Sequence, residues 1–343
     1  MNTDERIIGA LKHEKTDRVP FVEWAIDKKV VEALMPGATA DDLVYEMDLD
    51  AIPNVDLDFK KEMIGDKIKD EWGMMKQYTA EDHAFPLGGP IKDRDDFKAY
   101  KPPNPRDGYH YETLEKKLKQ HQGKKTVIVH LNDVYSIPSR LMQYEDFLCT
   151  MAIDPGLIRD MVDMNVDIQL ELAEECVKRG VKFVFTGDDV AYVNGPVMSP
   201  QMFEDIFLEP MKRVIGGFKD MGLYTLKHTD GDIMTLIDMI LSTGIDCLDP
   251  IDPVAGMDLA LIKEKYGKQV CIKGNVDCAQ LLSFGTVEEV MEATKNCLRI
   301  GAPGGGYIIS SSNSIHSSVR PENFKAMIDI IHKYRDYPLA ENL

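Results

Sequence analysis

The sequence predicts an α/β fold, a parallel (β/α)8 barrel, and three observations carry that prediction. Helix-period segments alternate with short β-branched runs through the second half of the chain, which is the pattern of a parallel sheet with crossover helices. Each short run is followed by a polar cluster of Asp, Asn or His, placed where a barrel exposes the carboxyl ends of its strands. A glycine-rich phosphate fingerprint, which would favour an open dinucleotide-binding sheet, does not follow the first strand.

The elements follow in order. Residues 19–22, 50–53 and 126–131 are the first three expected strands. A polar insertion over residues 58–125 separates the second from the third. Within it, residues 70–78 and 84–92 are expected to pair as a hairpin, with Leu87-Gly88-Gly89-Pro90 near the turn. Asp154-Pro155 opens a helix whose apolar positions run through Leu157, Ile158, Met161 and Val162 to about Lys178. Ser199-Pro200 opens the next, with Phe203, Ile206, Phe207, Met211, Val214 and Phe218 at helical spacing. Helices are expected at residues 233–241 and 259–265, after the capping box Thr286…Glu289, and from Pro321 onward. The five later strands fall at residues 181–185, 223–227, 245–248, 270–273 and 307–310, which brings the count to eight. Gly180, Gly222, Gly244, Gly267 and Gly301 end the preceding helices, where a left-handed residue is cheap for glycine. No composition break divides residues 1–343, so one domain is expected.

Composition narrows the function classes. The chain carries 40 Lys and Arg against 58 Asp and Glu, a net charge of −18, which disfavours nucleic acid and an anionic membrane surface as partners. Six scattered cysteines without a CxxC pair fit reduced thiols. The opening MNTDERIIGALKHEK lacks the apolar run of a signal peptide, and no stretch approaches the ~20 apolar residues of a membrane span, so a cytoplasmic location is expected.

The candidate site is the set of residues after the strands. In order these are Glu23 and Trp24, Asn54 and Asp56, Asn132 and Asp133, Asp188 and Asp189, His228 and Asp230, Asp249 and Asp252, Asn275 and Asp277, Asn313 and His316. Any one Asp or Asn there can simply cap the next helix. Eight polar strand ends together point to a shared site. His228 is the sharpest member: in His-x-Asp the two side chains can point to one side, which suits metal binding or acid–base chemistry, and His316 adds a second imidazole. Cys247 and Cys271 lie inside strands and are expected in the core, while Cys278 sits at the rim.

These residues carry a resemblance. The opening IIGALKHEKTDRVPF, then TGDDV, HTDGD, DCLDP and KGNVDC, a serine-rich strand and VRPENFKAM fall in the order of the uroporphyrinogen decarboxylase superfamily, over nearly the whole chain. The resemblance implies the same barrel and offers two chemistries. The decarboxylases hold an acidic porphyrinogen with an arginine-rich signature after the first strand, where this chain has FVEWAIDKK and no arginine. The corrinoid-dependent methyltransferases carry a zinc site of His-x-Cys and a later Cys; here His228 matches the histidine, Asp230 replaces the first cysteine, and Ser314 lies near the second position.

The methyltransferase branch implies transfer of a methyl group from a small-molecule donor to the cobalt of a corrinoid on a partner protein, since the chain lacks an Asp-x-His-x-x-Gly corrinoid signature. Oxygen and nitrogen ligands in place of thiolates make a harder ion that polarises an oxygen, so the expected donor is a methyl ether such as a methoxylated aromatic, or methanol. The expected catalytic residues are His228, Asp230, Asn313 and His316. Glu23, Trp24, Asn54, Asp188, Asp189 and Asn275 are expected to bind substrate. Zinc, if bound, would sit on His228, Asp230, Asp249 and His316. Without a metal, protonated His228 or His316 would act as general acid, with Asp230 orienting His228. The alternatives are a decarboxylase and a non-catalytic barrel that binds a corrinoid or small ligand; a homodimer is a superfamily-level expectation.

Overall fold

The structure is a computed structural model that describes residues 1–78, 84–341 and 343. Its frame is a curled, seven-stranded parallel sheet. In chain order the strands are β1 (Ala51–Val55), β2 (Thr126–Leu131), β3 (Phe183–Gly187), β4 (Tyr224–His228), β5 (Cys247–Asp249), β6 (Cys271–Lys273) and β7 (Tyr307–Ile308), and neighbours in sequence are neighbours in the sheet. Every neighbouring pair is parallel. Residues 19–22, expected as a strand, instead form an extended segment that reaches both edges: Phe21 bridges Ile309 in parallel, and its carbonyl accepts from Asp50 N–H at 2.8 Å. Pro20, which has no N–H, limits the ladder there.

Side chains alternate across these strands and divide the core in two. The concave face is filled from the strands themselves by Val22, Ala51, Ile128, Phe183, Phe185, Leu226, Cys247, Cys271 and Ile308, so Cys247 and Cys271 are core residues as expected. The convex face meets the helices. Pro155–Lys178 presents the predicted stripe, with Leu157, Ile158, Met161 and Val162 buried. Each such side chain contributes about 1.5–3 kcal/mol on leaving water. Asp154 caps it through Leu157 N–H, and Pro155 occupies its first position. The capping box Thr286/Glu289 and the helix Pro321–Tyr334 also stand as the sequence predicts.

Further expectations change. The expected pairing of residues 70–78 with 84–92 is present, Met75–Tyr78 lying antiparallel to Ala84–Gly88, but it is half of a four-stranded antiparallel sheet that begins with Lys61–Ile64 and Lys67–Asp70. Leu87-Gly88 lies in its last strand; residues 79–83 are outside the described residues. The helix expected at 233–241 starts at Ile237, because Gly231 (φ +88°) and the Asp232 side chain, which accepts from Met234 N–H, first turn the chain. Gly180, Gly222 and Gly244 are left-handed, but Gly267 caps its helix at φ −66°. No helix among the described residues is long and apolar enough to cross a membrane.

Candidate active site

The carboxyl ends of the strands carry the site because the last concave-facing residue of several strands is polar. His228 ends β4 on the side of Leu226, Asp249 ends β5 on the side of Cys247, and Lys273 ends β6 on the side of Cys271. They form a chain. Lys273 Nζ lies 2.6 Å from Asp249 Oδ1, and Asp249 Oδ2 lies 2.7 Å from His228 Nδ1. With Nδ1 committed to a carboxylate, Nε2 is the ring nitrogen left for chemistry. It faces Asp230 Oδ1 at 3.5 Å.

Asp230 is held from two sides. Its N–H donates to Asp189 Oδ1 at 3.0 Å, and its other carboxylate oxygen, Oδ2, accepts from Asn313 Nδ2. Its Oδ1 is buried without a hydrogen-bond partner. Asp189, His228 and Asp230 each offer one ligand atom, and these atoms lie within 4.8 Å of one another. Burial alone would lower the pKa of His228, but Asp230 and Asp249 outweigh it and push it up to about 10. Burial also raises Asp230, against the opposing pull of His228.

Trp24 stacks on His228 with ring centroids 4.1 Å apart and planes 19° apart. Its edges meet Phe185 at 4.8 Å and His130 at 5.7 Å. His130 bonds Asp56 through Nδ1 at 2.7 Å. Beside Asp230 opens a cavity of about 830 Å³ between residues 25–28 and the serine-rich loop, lined by Asp252, Cys278, Asn313 and His316 among others. No arginine is among its described lining residues.

Comparison with known proteins defines the family. Residues 75–334 match the family described as uroporphyrinogen decarboxylase (URO-D). The chain belongs to the URO-D family. Within it, the chain is 24% identical to a uroporphyrinogen decarboxylase of Pseudoalteromonas atlantica, over 53% of this chain and 49% of that protein. It is 20% identical to a methylated-thiol–coenzyme M methyltransferase of Methanosarcina mazei, over 63% of this chain and 55% of that protein. The chain thus spans about half the length of the curated relatives it matches. A solved methyltransferase from Methanosarcina mazei shares the fold, with a TM-score of 0.73 at 16% identity, covering 97% of this chain and 99% of that one.

On this URO-D scaffold the predicted residues separate. His228, Asp230, Asp189 and Asn313 come together. Asp249, expected as a metal ligand, stands behind His228 with both oxygens engaged. His316 lies along the cavity and accepts from Ser318 N–H at 3.3 Å; it is outside the Asp189–His228–Asp230 group. Glu23 is fully buried and accepts from Ser311 N–H at 3.1 Å; burial pushes its pKa up to about 7, against the pull of Lys273 and Ser311. Asp188 is buried on the convex face with Oδ2 on Tyr135 N–H at 2.6 Å. Asn275 spends its amide on Ile251 O at 2.6 Å and on Cys297 Sγ at 3.6 Å. Asn54 adopts φ +53° with a buried, unpartnered Oδ1. His130, Lys227 and Lys273 do not figure in the sequence-based site. The signal for them is a charged or ionisable residue inside an otherwise apolar strand, which must find a partner when buried.

Proposed function

We propose that this chain is a corrinoid-dependent methyltransferase. It moves a methyl group from a methylated small molecule, a methyl ether such as a methoxylated aromatic or methanol, to the cobalt of a corrinoid carried by a separate protein. The sheet and the bridging segment at residues 19–22 together serve as an eight-membered (β/α)8 barrel whose rim holds the reaction.

The observation that carries this reading is the Lys273–Asp249–His228 chain, which leaves Nε2 facing Asp230 next to an arginine-free cavity. Such a site suits an oxygen leaving group and is poorly suited to a polycarboxylate porphyrinogen, which needs cationic clamps. In the reaction the methyl carbon–oxygen bond breaks, the oxygen keeps its electron pair, and cobalt(I) supplies the pair for the new carbon–cobalt bond. The released oxygen needs a proton. His228, held protonated by Asp249 and Asp230, can deliver one from Nε2, with Asp249 and Lys273 fixing the ring.

The same atoms fit a divalent cation such as zinc. Asp189, His228 and Asp230 would hold it, and the buried, unpartnered Asp230 Oδ1 is the donor that such an ion would satisfy. When bound, the ion would supply Lewis-acid polarisation of the leaving oxygen in place of the proton.

The test is anaerobic mixing of the protein with a cobalt(I) corrinoid protein and a panel of methyl donors, followed by the visible spectrum of methylcobalt(III). Transfer from a methyl ether or methanol is expected, with metal content measured on the same sample. Turnover of a porphyrinogen without methyl transfer, or activity confined to thiol acceptors, would overturn the proposal.

A further inference from the structure

The Trp24 ring is packed by three other rings, one stacked and two in T-shaped contact. One face lies against His228, one edge meets His130, and the remaining space is shaped by a glycine. A Cβ at Gly187 would stand 2.9 Å from His130 Nε2 and 3.0 Å from the Trp24 ring, closer than real Cβ atoms approach side chains without displacement. His130 is anchored in turn by Asp56 at 2.7 Å. The groups therefore run in series: Asp56, His130, Trp24, His228, Asp249.

We propose that Trp24 is a positioning residue for His228, held in place by the His130–Asp56 pair and by the absence of a side chain at Gly187. The bond from Nδ1 to Asp249 fixes one point of the imidazole but leaves the ring free to tilt about it. A stacked plane 4.1 Å away removes that freedom and aims Nε2 at Asp230. It also covers that face of His228, leaving Nε2 directed at Asp230. This inference rests on the site assigned above for its functional consequence, but not for the stack itself.

The experiment uses the full chain with Trp72→Phe, which leaves Trp24 as the sole tryptophan, since the sequence has 2. Zinc alone is titrated by calorimetry, methyl transfer is resolved into kcat and KM, and the His228 imidazole is observed by NMR. Trp24→Leu is expected to weaken zinc about 10-fold, the range known for residues that orient a ligand from behind, and to lower kcat with little change in KM. Trp24→Phe should restore part of each, and Gly187→Ala should imitate Trp24→Leu while shifting Trp24 emission. His130→Phe keeps a ring against Trp24 but loses the bond to Asp56, and should give a smaller effect of the same sign.

A rise in KM for the methyl donor with kcat and zinc affinity unchanged would make Trp24 a wall of the substrate site and overturn the proposal. If the protein neither binds zinc nor transfers methyl groups, the functional reading fails but the stack is still tested. Loss of the indole should then broaden or split the His228 ring signals as the imidazole samples other orientations, and one sharp set of signals, displaced only by the lost ring current, would refute the positioning role.

Discussion

Two buried lysine–aspartate networks occupy opposite faces of the same sheet, and they end differently. On the concave face, Lys273 holds Asp249, and Asp249 holds an imidazole whose other nitrogen remains available. On the convex face, Lys227 reaches Asp133 at 2.8 Å and donates to the carbonyls of Asp188 at 2.8 Å and His228 at 3.0 Å. There Asp133 also accepts from Val134 N–H at 2.7 Å, and its carbonyl accepts from Asn165 Nδ2 at 2.7 Å. The concave network ends on the His228 ring; the convex one ends on backbone and ties together the ends of β2, β3 and β4. Similar residues in adjacent layers thus end on a ring nitrogen facing Asp230 in one case and on strand-aligning backbone in the other, and alternation along β4 decides which, since Lys227 and His228 are consecutive.

The comparison breaks most visibly at its two ends. His228→Gln removes the proton or ligand at Nε2 yet leaves the Lys273–Asp249 pair intact. Methyl transfer should fall by about 10²–10⁴-fold, the usual worth of a general acid, with the folded state retained by circular dichroism. Lys227→Met does the opposite. It leaves buried carboxylates without their cation, which costs about 3–5 kcal/mol of stability in urea unfolding, while the protein that remains folded keeps its kcat. Equal kcat losses in the two variants would mean that the faces are not functionally distinct.

The same two networks show what a sequence discloses. The repeat of strand, polar end and helix is legible because periodicity, N-caps and glycine stops act locally; the helix Pro155–Lys178 has the bounds that its cap and apolar stripe dictate. His228 and Asp230 are legible because they follow a strand as His-x-Asp. Lys273, Lys227 and His130 are harder, because each lies within its strand and its partner comes from another strand or rim loop: Asp249, Asp133 and Asp56. Asp188 and Asp189 are neighbours in sequence, yet one faces the helices and the other joins His228. Only their partners in the fold, Tyr135 N–H for one and the His228–Asp230 pair for the other, tell them apart. The insertion is less legible still, since its exposed edge strand Lys61–Ile64 has no apolar alternation to announce it.

The smallest expected effect separates the faces by pH. Burial and the neighbouring Asp188 push the Asp133 pKa up to about 8, against the pull of Lys227. Asp133 and Asp188 form a coupled pair that keeps one proton where free carboxyls, which titrate near pH 4, would keep none. Between about pH 4 and 8 the folded state therefore binds more protons than the unfolded one, and stability falls as pH rises through that window. His228 has the same sign in a higher window, because its raised pKa of about 10 gives stability that is complete below its ordinary value and lost as pH climbs through 10. Asp133→Asn, a permanently neutral amide, should flatten the lower window and leave the upper slope; His228→Gln should flatten the upper and leave the lower. The expected differences are on the order of 2 °C in Tm, measurable by scanning calorimetry across pH 4–10. Glu23, also raised by burial, contributes to the lower window with the same sign, so some slope should survive Asp133→Asn below about pH 7. If both variants flatten the same window, the two networks share a proton through the sheet and do not titrate as separate units.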